Sequence, residues 1–263
     1  MSLPSLADLA IAAWRWLEYA GLLGFIGVVV VRRLAGMPPA LRWARVSMQP
    51  ALAAAFTGGV AVLVGESLRS GHVSSAIIVR VAAEGIALAL RLYVRRWVVP
   101  PVVVALLALP FASHGALLHP SGGAIFTDAL HVLSAGAWGG GILVLATLRP
   151  PDGWRGEEGR ALLARFGPVA FLAFTATALS GALQAADVLG SASYLFSTAY
   201  GLVLTAKTGG VLVMVAMSAV GWSRGWRFTR WEGVAVLFVL AATAILAAFP
   251  VPPIYIIVQL AGR

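Results

Sequence analysis

The fold is decided by the stretch TDALHVLSAGAWGGGILVLATL, residues 127–148. It is apolar and about as long as the roughly 20 residues that cross a membrane as a helix. Four of its residues recur at helical spacing and share one face: Asp128, His131, Ala135 and Trp138. Gly136 and Gly140 are four residues apart, a small-xxx-small pattern that lets another helix approach closely. The stretch therefore predicts a helix inside a membrane bundle, whose polar face is either a functional site or a packing seam.

The composition is that of an integral membrane protein. The chain has 263 residues, of which 60% are hydrophobic and 11% are charged, whereas about a quarter of the residues of a soluble domain are charged. The absence of cysteine excludes disulfides and thiolate metal sites. A net charge of +9 is compatible with nucleic-acid binding, but the basic residues punctuate apolar runs instead of forming a patch. We therefore expect no nucleic-acid partner, and membrane lipids around the protein.

Apolar segments of suitable length predict an all-α, polytopic bundle of about eight transmembrane helices. The eight segments are 8–32, 47–68, 75–95, 97–113, 126–148, 166–188, 198–221 and 231–250. Segment 97–113 is short and interrupted by Pro100, Pro101 and Pro110, so seven spans are the alternative. We treat residues 1–263 as a single integral membrane domain.

The arginines predict the orientation of these segments. Fourteen of the 19 basic residues follow the first, third, fifth and seventh segments: Arg32, Arg33, Arg42, Arg45, Arg91, Arg95, Arg96, Arg149, Arg155, Arg160, Arg165, Arg224, Arg227 and Arg230. By the positive-inside rule these loops are cytoplasmic and both termini face outward. The four histidines, His72, His114, His119 and His131, then all belong to the outward side.

A faint internal repeat divides the chain into two related four-helix halves, residues 1–113 and 114–263. The sequence AGLLG at 20–24 resembles AGAWG at 135–139, and Arg80 in the third segment corresponds to Lys207 in the seventh. Because four spans separate the corresponding segments, the repeat is parallel and both halves have the same orientation.

Several polar groups lie within the apolar segments, where ionisable residues are costly and by default functional. Arg80 and Glu84 are four residues apart and can pair on one face, either in an inner path or as a structural ion pair. Glu18 can pair locally with Arg15. Two further stripes are Tyr200, Lys207 and Met214, whose methionine is also compatible with core packing, and Thr177, Ser180, Gln184 and Asp187.

The outward histidines predict a metal site. Imidazole binds copper and zinc, and a short loop would bring His114, His119 and His131 together with Asp128. Two facing histidines also suit haem as axial ligands, and a hydrogen-bonding or pH-sensing cluster without cofactor is a third alternative. The chain lacks His-Glu-x-x-His and Gly-x-Ser-x-Gly, and residues 201–208 only approximate a phosphate-binding loop. We therefore expect no enzyme activity.

The sequence also resembles a known family over roughly residues 110–253. Residues 128–140, Arg165-Phe166, Ser180-Gly181 and the stretch from Thr198 to Lys207 look like the signature helices of the CopD/PcoD copper-resistance proteins. Residues 113–115 and the stretch from Arg230 to Pro253 are similar to the family's His-containing helix end and to its last helix.

The resemblance implies a bacterial inner-membrane copper permease that moves copper in from the periplasm. Its partner would be a separate periplasmic CopC-like protein, and the copper would be Cu(I) or Cu(II). The expected ligands are His131 and His114, with His119 and Asp128 as further candidates. The expected path or structural polar residues are Glu84, Arg80, Lys207, Glu18, Trp138, Tyr200 and Met214. A membrane haem protein, either an electron carrier or a haem-pathway oxidoreductase, and a non-transporting partner of a periplasmic copper chaperone are the alternatives.

Overall fold

The computed structural model describes residues 3–94, 97–112, 122–189, 193–224 and 229–249. These residues are largely helical and include no β-strand. The helices are α1 Leu6–Ala35, α2 Gln49–Ser70, α3 Ser75–Ala89, α4 Val99–Ala108, α5 Gly122–Ala135, α6 Gly141–Thr147, α7 Glu157–Leu189, α8 Tyr194–Ser197, α9 Ala199–Arg224 and α10 Thr229–Leu246. The expectation of an all-α fold is confirmed for the described residues.

Four helical stretches among the described residues are by themselves long and apolar enough to cross a membrane. They are Arg42–Ser70, Gly123–Thr147, Glu157–Ala186 and Ala199–Gly221. All eight segments expected from sequence contain a helix, but α4 has 10 residues and is about 15 Å long, half the thickness of the hydrocarbon layer. Its prolines lie in the first turn, where proline is tolerated. The structure thus supports a membrane protein with four such helices.

The surface of the longest helices is apolar, as contact with lipid requires. On α7, Phe171, Leu172 and Leu179 are 69%, 69% and 64% exposed. A soluble protein rarely exposes so continuous an apolar face. We infer that this face of α7 is in contact with acyl chains.

Local sequence explains where the first helices begin and end. Ser5 and Asp8 form a capping box, in which the Asp8 amide donates to the Ser5 hydroxyl and the Ser5 amide donates to the Asp8 carboxylate. Helix α2 ends at Gly71, whose φ of +69° is accessible to glycine at little cost. Ser74 caps α3 by accepting a hydrogen bond from the Ile77 amide. These caps fix the ends of α1, α2 and α3.

Helix α1 is the centre of the bundle and packs against α2, α6 and α10. Between α5 and α6 the chain forms one π-helical turn, Gly136–Gly140, in which Gly136 and Gly140 lie directly on α1. A Cβ on Gly140 would overlap the Leu23 carbonyl, and a Cβ on Gly27 would overlap the Gly140 backbone. The expectation that these glycines allow a close helix approach is confirmed.

Two sets of arginine contacts fasten the opposite ends of the bundle. At one end Arg165 of α7 donates to the carbonyls of Leu34, Met37 and Pro39, at 2.9, 3.0 and 2.9 Å, just where α1 ends. At the other end Arg15 of α1 donates to Glu66 of α2 at 2.6 Å and to the Ala247 carbonyl beyond α10 at 2.7 Å. Arg69 adds ion pairs to Glu66 and Asp8. The bonds to Leu34 and Ala247 go to carbonyls at helix ends, which have no partner four residues ahead within the helix.

We expect Gly140→Ala to destabilise the protein, because its methyl group would collide with backbone that cannot rotate away. Overpacking of this kind costs about 1–3 kcal/mol. The apparent melting temperature in detergent measures the effect. The control is Gly209→Ala in α9, where a Cβ meets nothing within 4 Å. The account of the α1 contact is wrong if the two variants melt alike.

Candidate metal site

The imidazole of His131 lies between α5 and α7, inside the bundle. His131 is the tenth residue of α5, about 13 Å along the axis from its first residue. Its Nδ1 is 3.1 Å from the Thr177 carbonyl oxygen and 3.1 Å from the Ser180 hydroxyl, both on α7. The histidine is therefore held by the neighbouring helix at the level of the apolar core.

These contacts define the imidazole tautomer. The Thr177 carbonyl can accept a hydrogen bond but cannot donate one, so Nδ1 must carry the proton. The Ser180 hydroxyl itself donates to the Ala176 carbonyl at 2.6 Å, which leaves its oxygen free to accept from Nδ1 as well. The lone pair of a neutral imidazole then belongs to Nε2, for which the described residues supply no hydrogen-bond partner. Nε2 is thus available as a ligand.

A second layer of hydrogen bonds fixes the position of α7 relative to α5. The Thr177 hydroxyl donates to the Ser134 hydroxyl at 2.8 Å, one turn from His131. One turn in the other direction, the Gln184 amide donates to Asp128 Oδ1 at 2.8 Å. The polar stripe read from the sequence of α7 therefore faces the polar face of α5. Partners of this kind orient metal-binding histidines in other proteins.

Small residues make room for the imidazole. A Cβ on Gly181 would be 3.1 Å from His131 Cε1 and 3.5 Å from Nδ1. On the outer side of the same two helices lies an open, apolar cleft of about 410 Å³, lined largely by leucine and phenylalanine side chains. Because its walls are apolar and exposed, this cleft suits an acyl chain rather than a metal ion.

Trp138 is buried about two helical turns after His131 along the chain. It belongs to the π-helical turn, is 8% exposed and packs on Phe174 of α7 with ring centroids 4.9 Å apart. A π-helical turn inside an α-helix is rare and is frequent at functional sites. Here the turn lets Gly136 and Gly140 approach α1 while the indole still faces α7. Trp138 is a packing residue of the site.

Three of the charged residues expected to line a path, Glu18, Arg80 and Glu84, form a separate cluster, and two expected local pairs are wrong. Arg80 pairs with Glu18 of α1, not with Glu84 on its own helix. Arg15 pairs with Glu66 of α2, not with Glu18. Both expectations used neighbours along one helix, whereas the long arginine side chains reach across to the adjacent helix.

The stripe expected on the seventh segment divides between different surroundings. Lys207 of α9 is half-buried and within electrostatic range of His131. Tyr200 stacks edge-on with Phe249 at 5.6 Å. Met214 is 1% exposed within the main hydrophobic core, which favours core packing over a ligand role.

Of the expected ligands, His131 and Asp128 are described, while His114 and His119 lie outside the described residues. Asp128 is one turn from His131 on α5 and is bonded to Gln184. Among the described residues, no three His, Cys, Asp or Glu side chains come together as a metal-binding group. At this place the described part of the chain therefore supplies the His131 imidazole, with Nε2 unused, and a nearby carboxylate.

Comparison with known proteins finds a similar copper transport protein. Copper transport protein CutJ of Bacillus subtilis (strain 168) is 32% identical over 162 residues, which is 56% of this chain and 29% of CutJ. The chain thus spans about three-tenths of the length of this curated relative. No family model matches the chain. No solved structure matches it.

We predict that ¹⁵N NMR of histidine-labelled protein shows His131 as the neutral tautomer with its proton on Nδ1. The Thr177 carbonyl requires this form. His131→Asn assigns the signal by removing it. A proton on Nε2 of His131 would contradict the hydrogen bonding described here.

Proposed function

We propose that this chain is a membrane copper-handling protein that binds copper through Nε2 of His131. The observation that carries the proposal is the Thr177 carbonyl, which holds the Nδ1 proton and directs the Nε2 lone pair away from α7. Neutral imidazole is a good copper ligand, and a hydrogen bond at its other nitrogen increases its basicity. The function proposed is that of a carrier, not of an enzyme.

The likeness to CutJ, a protein named for copper transport, supports copper as the cargo. The proposal extends this to a CopD-type permease that moves copper from the periplasm across the bacterial inner membrane. A separate CopC-like periplasmic protein would deliver the ion. The match covers 29% of CutJ, so copper transport and the periplasmic partner are proposed for this chain and not carried over from CutJ.

We further propose that the remaining ligands come from the segment before α5, which contains His114 and His119. Asp128 lies about one helical turn before His131 on α5 and carries the negative charge that a bound cation needs. Copper, and Cu(I) above all, tolerates few ligands, so one imidazole from the bundle with one or two from this segment would suffice.

The proposed topology has eight spans and both termini outward. The structure supports it where loops can be compared, since the arginine-rich segments after α1 and after α6 lie together: Trp43 and Trp154 pack edge to face at 6.2 Å. The other end is formed by the first part of α1 and the last parts of α2 and α10, which are joined by the bonds of Arg15 to Glu66 and Ala247. By charge this second end is the outward one.

We expect His131→Ala to abolish copper binding by the protein purified in detergent. Wild type should retain about one copper per chain on metal analysis, since one imidazole-centred site is proposed. The matched control is His72→Ala, because His72 is exposed in the loop after α2. Copper accumulation by cells should fall in the first variant and not in the second.

The same preparation separates the alternatives. A Soret band that disappears in His131→Ala would replace the copper proposal with a haem protein. Equal copper content in wild type and His131→Ala would contradict His131 as the ligand. Copper binding without copper flux into liposomes would leave a non-transporting partner of a periplasmic copper protein.

A further inference from the structure

A second polar cluster lies deep in the bundle between α1, α2 and α3. Glu18, Arg80 and Glu84 are 0%, 3% and 1% exposed. The Arg80 guanidinium approaches Glu18 through two nitrogens: Nε is 2.5 Å from Oε1, and Nη2 donates to Oε2 at 3.2 Å. Arg80 thus forms its ion pair with Glu18.

Glu84 is left without a partner. Neither of its carboxyl oxygens has a hydrogen-bond donor among the described residues, although both are fully buried. The carboxyl group lies against Gly59 of α2, where a Cβ would overlap Glu84 Oε2 and lie 3.3 Å from Glu18 Oε1. The two carboxyl groups therefore border one small space, which exists because residue 59 has no side chain.

The charges in this cluster do not balance. Two carboxylates and one guanidinium leave one excess negative charge, and a lone buried charge costs several kcal/mol. Such a cost requires one more positive charge beside Glu84.

The described residues of the surrounding helices do not supply that charge. Helix α4, which packs on α3, has no ionisable residue. Arg15 on α1 is bonded to Glu66, and Arg69 on α2 to Glu66 and Asp8. Arg91 is two turns beyond Glu84 and half-exposed. Since no described residue beside Glu84 is left to supply the missing charge, the geometry points to a bound cation.

The surroundings fit a proton better than a metal ion. Calcium takes 6–8 oxygen ligands, but this space offers two carboxyl groups, an adjacent guanidinium that repels cations, and the Val81 methyl group as a wall. A proton needs one oxygen to bind and a second to accept its hydrogen bond, and the carboxyl groups of Glu18 and Glu84 border the same space beside Gly59. We propose that Glu18 and Glu84 together hold one proton, which makes this cluster a proton-binding site at membrane depth.

This site is independent of the one around His131, because it is formed by α1, α2 and α3 instead of α5 and α7. Its proton can be exchanged only when the helices separate enough to admit water or another carrier. A site of this kind gives the first three helices a proton-dependent state, whatever the cargo of the protein.

Infrared spectroscopy of the purified protein, in a detergent without ester groups, tests the proposal. Wild type at neutral pH should show the C=O stretch of a protonated carboxylic acid, shifted to lower frequency in D₂O. Labelling glutamate with ¹³C at the carboxyl carbon should move the band, which separates it from bands of aspartic acid. This labelling needs no substitution and so no assumption about the folding of a variant.

Substitution then assigns the band to the pair. Glu84→Gln should remove it, because the amide can donate to Glu18 in place of the proton and Glu18 stays ionised beside Arg80. Glu18→Gln should remove it too, because Arg80 is then free to pair with Glu84. Glu157→Gln, at an exposed position at the start of α7, is the matched control and should keep the band.

Two results would overturn the proposal. One is a wild-type spectrum without a ¹³C-sensitive carboxylic acid band from mildly acidic to mildly alkaline pH. The other is a band that persists in both Glu84→Gln and Glu18→Gln, which would place the proton on another glutamate. Either result is independent of copper binding at His131.

Discussion

The contact between the backbones of Gly27 and Gly140 sets the geometry on which the rest of the bundle depends. In a membrane the hydrophobic effect does not draw helices together, so van der Waals packing and hydrogen bonds between helices must do so. Glycine allows α1 and the π-helical turn to approach until backbone meets backbone. The turn continues α5, which packs directly on α7 and places His131 next to the Thr177 carbonyl. A side chain at either glycine would separate α1 from the turn that links α5 to α6.

Polar groups at membrane depth must be satisfied within the protein, and this chain satisfies them in two different ways. The direct partners of the His131 imidazole are neutral, a carbonyl and a hydroxyl, which orient the ring and leave Nε2 unused. Around Arg80 they are charged, and one carboxyl group is left over. Each cluster has one unused group, a nitrogen lone pair in the first and a carboxyl group in the second. A nitrogen lone pair or a carboxyl group that has no protein partner at membrane depth is a group to which a cation can bind.

The sequence predicted the helices and the polar stripe on α7, because both follow from periodicity. The apolar segments, the glycines at 136 and 140 and the polar stripe on α7 are all visible as repeats of three or four residues. The sequence does not predict whether a long arginine side chain pairs within its own helix or with a neighbouring helix. Arg80 was paired with Glu84 by spacing, but helix packing offers it Glu18. The π-helical turn was also missed, since no repeat in the sequence marks it.

The central claim is that copper binds to the imidazole of His131, and X-ray absorption at the copper edge tests it most directly. We predict that copper-loaded protein shows the multiple-scattering pattern of coordinated histidine imidazole. That pattern should weaken or vanish in His131→Ala and persist in His72→Ala. A spectrum without imidazole scattering, or one that His131→Ala leaves unchanged, would contradict the account.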